Sequence, residues 1–338
     1  MDLENPRYNR FALCREMLET PAIIASFNPA LLEPFLAGGQ APQGVLLTGE
    51  GSSRLFPAKQ AIWRHRQSGH RLPVFTEGAS QALEYPLAQD LVVGLSNSGR
   101  TKELIRLFTS LQDSGHPALF GITAGTDSPL AALTRHTQVL ACGPEAAVAA
   151  SKSVMEQAIW LDALLSQLRG EPHPAHWFPD LANQLQSVLA LPVPPEMVAA
   201  LAGASRVYFA GRSNGVAEEL TLKTNEIIRK PSAYLEGTYA LHGIEEVMEP
   251  TEVVLIVDPW ESEEAMFETR LAKGIGLTVM AIGSRPTRFP TLVIPHSGNG
   301  GEAYLQLAAG WSLLAEAGIS LGLDLDAPRR ARKIGNEW

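Results

Sequence analysis

The chain has 338 residues, with 45% apolar and 19% charged side chains and a formal net charge of −9. That composition suits one large or two medium soluble domains with real cores, and it argues against a basic nucleic-acid or anionic-membrane surface. Cys14 and Cys142 are too few for a disulfide framework or a structural zinc site and read as packing residues. No basic-apolar leader opens the sequence, and no apolar run reaches the ~18 residues needed to span a bilayer, so a cytoplasmic chain without membrane contact is expected.

Residues 1–36 predict helix, with RFALCREMLETPAIIASF spacing its apolar residues by three and four and Pro21 marking a break or a fresh start. The Gly/Pro loop AGGQAPQG (37–44) leads into a short strand, VLLTG (45–49). Gly49, Gly51, Ser52 and Ser53 then form a donor-rich turn before a helix that ends near Gln67 and should run for about twenty residues. PVFTE (73–77), DLVVGLSNSG (90–99), ALFGITA (118–124) and TQVLACG (137–143) read as strands, with a helix through TKELIRLFTSLQDSG between the second and third. A long helix from about Ser151 to Leu168 closes this half.

Residues 170–180, GEPHPAHWFPD, read as a connection; the prolines around His173 and His176 work against a rigid metal-binding helix, so neither metal nor cofactor is expected. A helix near 181–203 precedes further strands at 206–215, 232–236, 252–259, 277–284 and 291–296, a helix at 302–318, and the tail LDLDAPRRARKIGNEW. Strand followed by a Gly/Ser turn recurs in GEGSS and GRSNG, which predicts an internal duplication of about 150 residues. The expected fold is α/β, two tandem doubly wound parallel-sheet domains with helices on both faces. The expected division is a helical segment 1–36, a first domain 37–170, a linker and helix 171–203, a second domain 204–320 and a tail 321–338.

In doubly wound sheets, ligands bind beyond the carboxyl ends of the strands. Ser52 and Ser53 follow VLLTG; Ser96, Asn97, Ser98, Gly99 and Thr101 follow LVVGL. Backbone N–H groups, hydroxyls and a helix dipole suit a phosphate cradle, although Ser and Thr also serve as plain helix caps. The spacing matches neither GxxxxGK[ST] nor a GxGxxG with an acidic ribose reader, which disfavours a nucleotide. A third turn, AAVAASKS (146–153), places Ser151, Lys152 and Ser153 at a helix start. Farther on, GRSNGVAEELTLKTNEIIRKPSAYLEGTYALH (211–242) contains a helix carrying Glu219, Lys223 and Glu226 within a strip roughly 60° wide. The strip borders a core row of Val216, Leu220 and Ile227, with Glu218, Asn225 and Arg229 on the solvent side. Two carboxylates around an ammonium suit proton transfer, and they equally suit a helical ion pair.

SNSGRT after an apolar strand, EAAVAASKS, and the GR…E…K…E…LHG spacing together resemble the sugar isomerase (SIS) family of phosphosugar-binding proteins. The resemblance spans nearly the whole chain, including REMLETP and DLDAPRRARK. Within the family the chain is most similar to two-SIS-domain isomerases and deaminases of amino-sugar phosphates, such as the isomerase half of glucosamine-6-phosphate synthase, AgaS-type proteins and SIS-type deaminases. The resemblance implies flavodoxin-like SIS domains and a sugar phosphate held by Gly51, Ser52, Ser53, Ser96, Asn97, Ser98 and Thr101, with Val148, Ala149 and Ser151 nearby. It puts Glu226 in the position of the carboxylate that moves a proton between C1 and C2, through a cis-enediol or enolamine. Lys223 would support that base. His242, sixteen residues after Glu226, matches a ring-opening histidine supplied by the neighbouring subunit, which implies a homodimer sharing its active sites. Lys333 matches a C-terminal lysine that reaches the active site.

The family usually has Glu three residues before the histidine and Pro after HG; Tyr239 and Ile244 stand there, and Ala150 replaces a serine of the synthase. Glu236 is the candidate to stand in for the missing carboxylate. The implied function is isomerisation or deamination of an amino-sugar phosphate such as glucosamine 6-phosphate. A fructosamine-6-phosphate deglycase and a non-catalytic sugar-phosphate sensor are the alternatives, with Glu226, His242 and Lys333 together favouring an enzyme. No glutaminase region or cysteine after Met1 precedes the SIS halves, so glutamine-dependent synthesis is not expected.

Overall fold

Ten short strands form two separate parallel sheets in the computed structural model, which describes residues 1–36, 42–298 and 300–333. The first sheet holds β1 (Gly44–Gly49), β2 (Val74–Glu77), β3 (Asp90–Leu95), β4 (Leu119–Thr123) and β5 (His136–Val139), in the order β2-β1-β3-β4-β5. The second holds β6 (Val207–Gly211), β7 (Ser232–Glu236), β8 (Val253–Val257), β9 (Thr278–Gly283) and β10 (Thr291–Val293), in the order β10-β9-β8-β6-β7. Counted from the first strand of each sheet, the two orders are the same. The longer helices are α1 (Ala12–Ala25), α2 (Leu55–Gln67), α3 (Lys102–Asp113), α4 (Lys152–Leu168), α5 (Trp177–Leu189), α6 (Pro195–Gly203), α7 (Val216–Ile227) and α8 (Glu302–Ser320).

Residues 22–145 and 150–179, with Arg332 and Lys333, make one compact unit around the first sheet; residues 1–21, 146–149 and 180–331 make the other. The inner strands β1, β4, β6 and β8 are buried along their whole length. A strand covered by helices on both faces has no solvent side, so its sequence runs apolar instead of alternating. That is why VLLTG, VYFAG and VVLIV were readable. In each sheet the chain leaves its first strand for one neighbour and returns to the other side, giving a switch point between β1 and β3 and another between β6 and β8. Gly49 pairs with Leu95, so the loops after β1 and β3 leave the first sheet side by side.

Three helix expectations are corrected. Pro21 lies inside α1 without breaking it; Leu13, Met17 and Ile24, all fully buried, hold the helix on either side, and packing outweighs the missing N–H. The helix after β1 has only 13 residues, because Gly51–Ser53 form a separate 3-10 turn first. The single helix expected at 181–203 is two, α5 and α6, parted where Pro192 and Pro194 deny the backbone its donors, with Pro195 opening α6. Of the expected 37–44 loop and 321–338 tail, residues 37–41 and 334–338 lie outside the described residues. Among the described residues no helix is long and apolar enough to cross a membrane.

Helix α7 packs along α8, and Gly310 permits the approach: a Cβ there would lie 2.4 and 2.5 Å from the two Cδ atoms of Leu220. Gly310→Val is therefore expected to lower unfolding free energy by about 1–3 kcal/mol through overpacking. Urea denaturation reads this directly; an unchanged midpoint would show that Leu220 yields at no cost.

Candidate functional site

The hydroxyl-rich loops of the first unit are internally wired. Ser96 is buried at the end of β3; its Oγ lies 2.9 Å from Thr101 Oγ1 and accepts from the Gly99 N–H at 3.0 Å. Ser98 Oγ accepts from the Arg100 N–H. The Asn97 carbonyl accepts from Thr123 Oγ1 and from the Ala124 N–H, so the end of β4 fixes the loop after β3. Gly99 is indispensable to this turn. Its φ is +64°, and a Cβ would lie 2.2 Å from Ser128 Oγ. Thr101 sits at the N-cap of α3, and Ser52 and Ser53 lie partly buried in the turn before α2. Two helix N-termini thus follow adjacent strands, the local geometry that accommodates an anion.

Glu145, which the sequence reading left unassigned, organises the rest of this site. Its carboxylate accepts from the Ser151 N–H at 2.9 Å, the Ser153 N–H at 3.2 Å and Ser153 Oγ at 2.7 Å. It also accepts from Asn97 Nδ2 at 3.3 Å and Lys333 Nζ at 2.9 Å. Burial alone would push this carboxyl up, but the Lys333 charge and the hydrogen bonds outweigh it and hold the group below the ordinary carboxylate value. A carboxylate can only accept, so the Asn97 amide nitrogen must face it and the amide oxygen must face away. Asn97 Oδ1 and Ser151 Oγ are buried and have no hydrogen-bond partner among the described residues. Asn97 therefore offers an acceptor, suited to a hydroxyl and not to phosphate, while Ser151 offers a hydroxyl to either.

Val148 and Ala149 belong to the second unit; the Val148 N–H donates to the Asp326 carbonyl, and Ala149 is buried. Also in that unit, Glu219 and Lys223 are fully buried on α7, while the Glu226 side chain keeps 18% of its exposure. Lys223 Nζ lies 3.3 Å from Glu219 and 2.7 Å from Glu226. Burial would lower the lysine pKa, but its two carboxylate neighbours override burial and raise it. Lys223 is thus a permanent ammonium at neutral pH and cannot serve as a base. Glu226 gives one oxygen, Oε2, to this contact; Oε1 has no partner among the described residues. The row Val216, Leu220 and Ile227 is fully buried.

His242 stands apart from that trio. It is exposed after a 3-10 turn, Tyr239–Leu241, with Nε2 3.3 Å from Thr238 Oγ1. Its loop is braced by the Gly243 N–H donating to the Glu245 carboxylate at 2.6 Å and by Arg270 donating to the Leu241 carbonyl at 3.0 Å. Glu236 lies exposed at the end of β7, and no hydrogen bond joins it to His242. Glu245, not singled out from the sequence, is the carboxylate that touches this loop. Among the described residues no group of three or more His, Cys, Asp or Glu side chains is placed to hold a metal ion. His173 instead stacks on Trp177, with ring centroids 4.2 Å apart.

Residues 46–167 match the family model described as SIS domain. A glutamine–fructose-6-phosphate aminotransferase (isomerizing) of Aeropyrum pernix is 27% identical over 364 aligned positions, covering 96% of this chain and 57% of its own length. The chain spans about half the length of the curated relatives it matches. Among solved structures, tagatose-6-phosphate ketose/aldose isomerase from Escherichia coli superposes with a TM-score of 0.79 at 17% identity, covering 97% of this chain and 98% of that one. Glucosamine-6-phosphate deaminase from Thermotoga maritima gives 0.74 at 20% identity, covering 95% and 98%. At these identities the structural likeness speaks for the fold alone.

Glu145→Gln should lower unfolding free energy at pH 7 by about 1–3 kcal/mol, because the buried carboxylate that accepts from Ser151, Ser153 and Asn97 is lost, while Lys333, 28% exposed, can turn to water. Since the folded pKa of Glu145 is depressed, its contribution is complete above the unfolded carboxylate value of about 4.3 and fades as pH falls through the folded one. Urea unfolding from pH 7 to pH 3 should therefore show the gap between wild type and variant shrinking at the acid end. A gap constant over that range would refute the assignment.

Proposed function

We propose that this chain, a member of the SIS phosphosugar isomerase group on the strength of the SIS domain at residues 46–167 and its aminotransferase relatives, isomerises or deaminates an amino-sugar phosphate such as glucosamine 6-phosphate. The observation that carries this is the state of Glu226, one oxygen fixed at 2.7 Å by a buried ammonium and the other open. A carboxylate so oriented can take a proton from the carbon beside a carbonyl or imine and return it to the neighbouring carbon, through an enediol or enolamine. Isomerisation ends there. In deamination the nitrogen at C2 leaves, consuming one water and releasing one ammonia. Ser52, Ser53, Ser98 and Thr101 would take the phosphate with the N-termini of α2 and α3, and Asn97 Oδ1 and Ser151 Oγ would take sugar hydroxyls. Lys333, already paired with Glu145 in the same unit, would contribute a positive charge to that set. The fold is shared with both the Escherichia coli isomerase and the Thermotoga maritima deaminase and so does not choose between the two reactions.

A panel of hexose and hexosamine 6-phosphates, followed for ketose and for ammonia, separates the two. Ammonia from glucosamine 6-phosphate identifies a deaminase, and ketose without ammonia an isomerase. Glu226→Gln should lower turnover by about 10²–10⁴-fold. No product from any member of the panel, or a Glu226→Gln variant as active as wild type, would overturn the proposal.

The exposure of His242, with Tyr239 and Val247 of the same loop 50% and 59% exposed, supports a homodimer in which His242 serves the partner's site. Each of His242→Ala and Glu226→Gln should then be inactive alone. Re-assembled in equal amounts they should recover about a quarter of wild-type turnover, since half the dimers are mixed and each mixed dimer has one intact site. No recovery on mixing would place both residues in one subunit's site.

A further inference from the structure

The second unit contains a cavity of about 710 Å³ whose lining includes neither Glu226 nor His242. It opens where α7 and α8 end, and its walls combine Arg229, Lys230, Arg329 and Arg330 with apolar surface from Ile228 and Leu323. No carboxylate is part of the lining. Arg229 is held there at a backbone cost: its φ is +57°, a left-handed conformation that a long side chain seldom adopts. Its guanidinium donates through Nη2 to the carbonyls of Asp324 and Ala327, at 2.6 and 3.1 Å, while Nε is buried without a partner among the described residues. Lys230 donates to the Ala204 carbonyl. Arg329 and Arg330 are exposed and make no hydrogen bond or ion pair among the described residues.

The plainer role for such cations is to cap helix C-termini. Two C-terminal ends amount to about one negative charge, against four positive side chains. Asp324, beside the lining residue Leu323, accepts from the Asp326 N–H and still carries one negative charge at the rim. A surplus of roughly two positive charges therefore remains, on a chain whose net charge is −9. The volume lies within the range of small-ligand sites, roughly 300–1,000 Å³. Guanidinium forks match phosphate oxygens in pairs, and apolar walls beside them suit a ligand with a planar or apolar body. We propose that this cavity is a second binding site, distinct from Glu226 and from the hydroxyl-rich loops, for a small molecule bearing several phosphates on a planar or apolar body.

The test is calorimetric titration of the full chain with ATP and, separately, with inorganic tripolyphosphate. It compares wild type, Arg329→Ala/Arg330→Ala, and Ser52→Ala/Ser98→Ala in the hydroxyl-rich loops, each checked for an unchanged melting curve. ATP should bind wild type and the loop variant alike, and at least about tenfold more weakly to the arginine variant, which has lost two charge-assisted contacts. It should bind more tightly than tripolyphosphate. No heat at millimolar ATP, equal binding by the arginine variant, or loss confined to the loop variant would overturn the proposal. Tripolyphosphate binding as tightly as ATP would overturn the assigned apolar body.

Discussion

A carboxylate removed from water has to find its counterweight in the protein, and for Glu145 that requirement shapes the first unit's loops. Its donors come from three separate places in the chain: Asn97 after β3, the Ser151–Ser153 turn before α4, and Lys333 near the C-terminus. Desolvating the carboxylate costs several kcal/mol, and only a nearly complete set of partners offsets that. The three segments are consequently held in one arrangement. With its amide nitrogen committed to Glu145, Asn97 has one orientation available, and its open oxygen is an acceptor by necessity. The chemistry offered to a ligand is thus set by a residue that need not touch the ligand.

The same physics runs in reverse on α7. Lys223 is a cation without exposure, and Glu219 and Glu226 are what keep it charged. The three members of the strip are not equivalent. Glu219 is wholly interior and serves neutralisation, whereas Glu226 has solvent access and one uncommitted oxygen. A helical wheel cannot separate them, because it reports direction around the axis and says nothing of depth. The 60° strip was correctly drawn from spacing of roughly 100° per residue, but the division of labour inside it comes from how far each side chain lies from the surface.

Legibility from the sequence follows the same divide between local and distant causes. Strands covered on both faces announce themselves as apolar runs, and the inner strands β1, β3, β4, β6 and β8 were all readable. Helix limits were less so. Pro21 looked like a breaker because the burial that holds α1 together is not written in the local sequence, whereas Pro192 and Pro194 did break a helix that apolar periodicity had joined. Glu145 was visible as the first letter of EAAVAASKS, six residues before Ser151. Its role depends on Lys333, 188 positions away, and no local pattern reports such a partner. Lys333 stands in the basic run RRARK, where nothing local separates it from its neighbours, and only the family resemblance singled it out. Glu245 carries no mark in the sequence that separates it from Glu246, and its contact with the loop is made from the residues after His242.

Two sheets with one strand order do not have the same chemistry at their switch points. Beyond β1 and β3 the chain sets hydroxyls and an open amide oxygen. Beyond β6 and β8 it sets Arg212 against Asp258 at 2.6 Å, with the guanidinium 4.4 Å above the Trp260 ring. Asp258 reaches that pairing from a left-handed backbone, φ +51°, a conformation uncommon outside glycine that Asp tolerates better than most side chains. The ion pair and the stacked ring commit Arg212 and Asp258 to each other, whereas Ser151 in the first unit keeps a buried hydroxyl without a partner among the described residues. Topology explains where a doubly wound sheet can bind and is silent on whether it does. The answer lies in which polar groups the fold has already paired. By that criterion the first unit keeps open polar groups near its switch point, while Arg212 and Asp258 at the second are paired with each other.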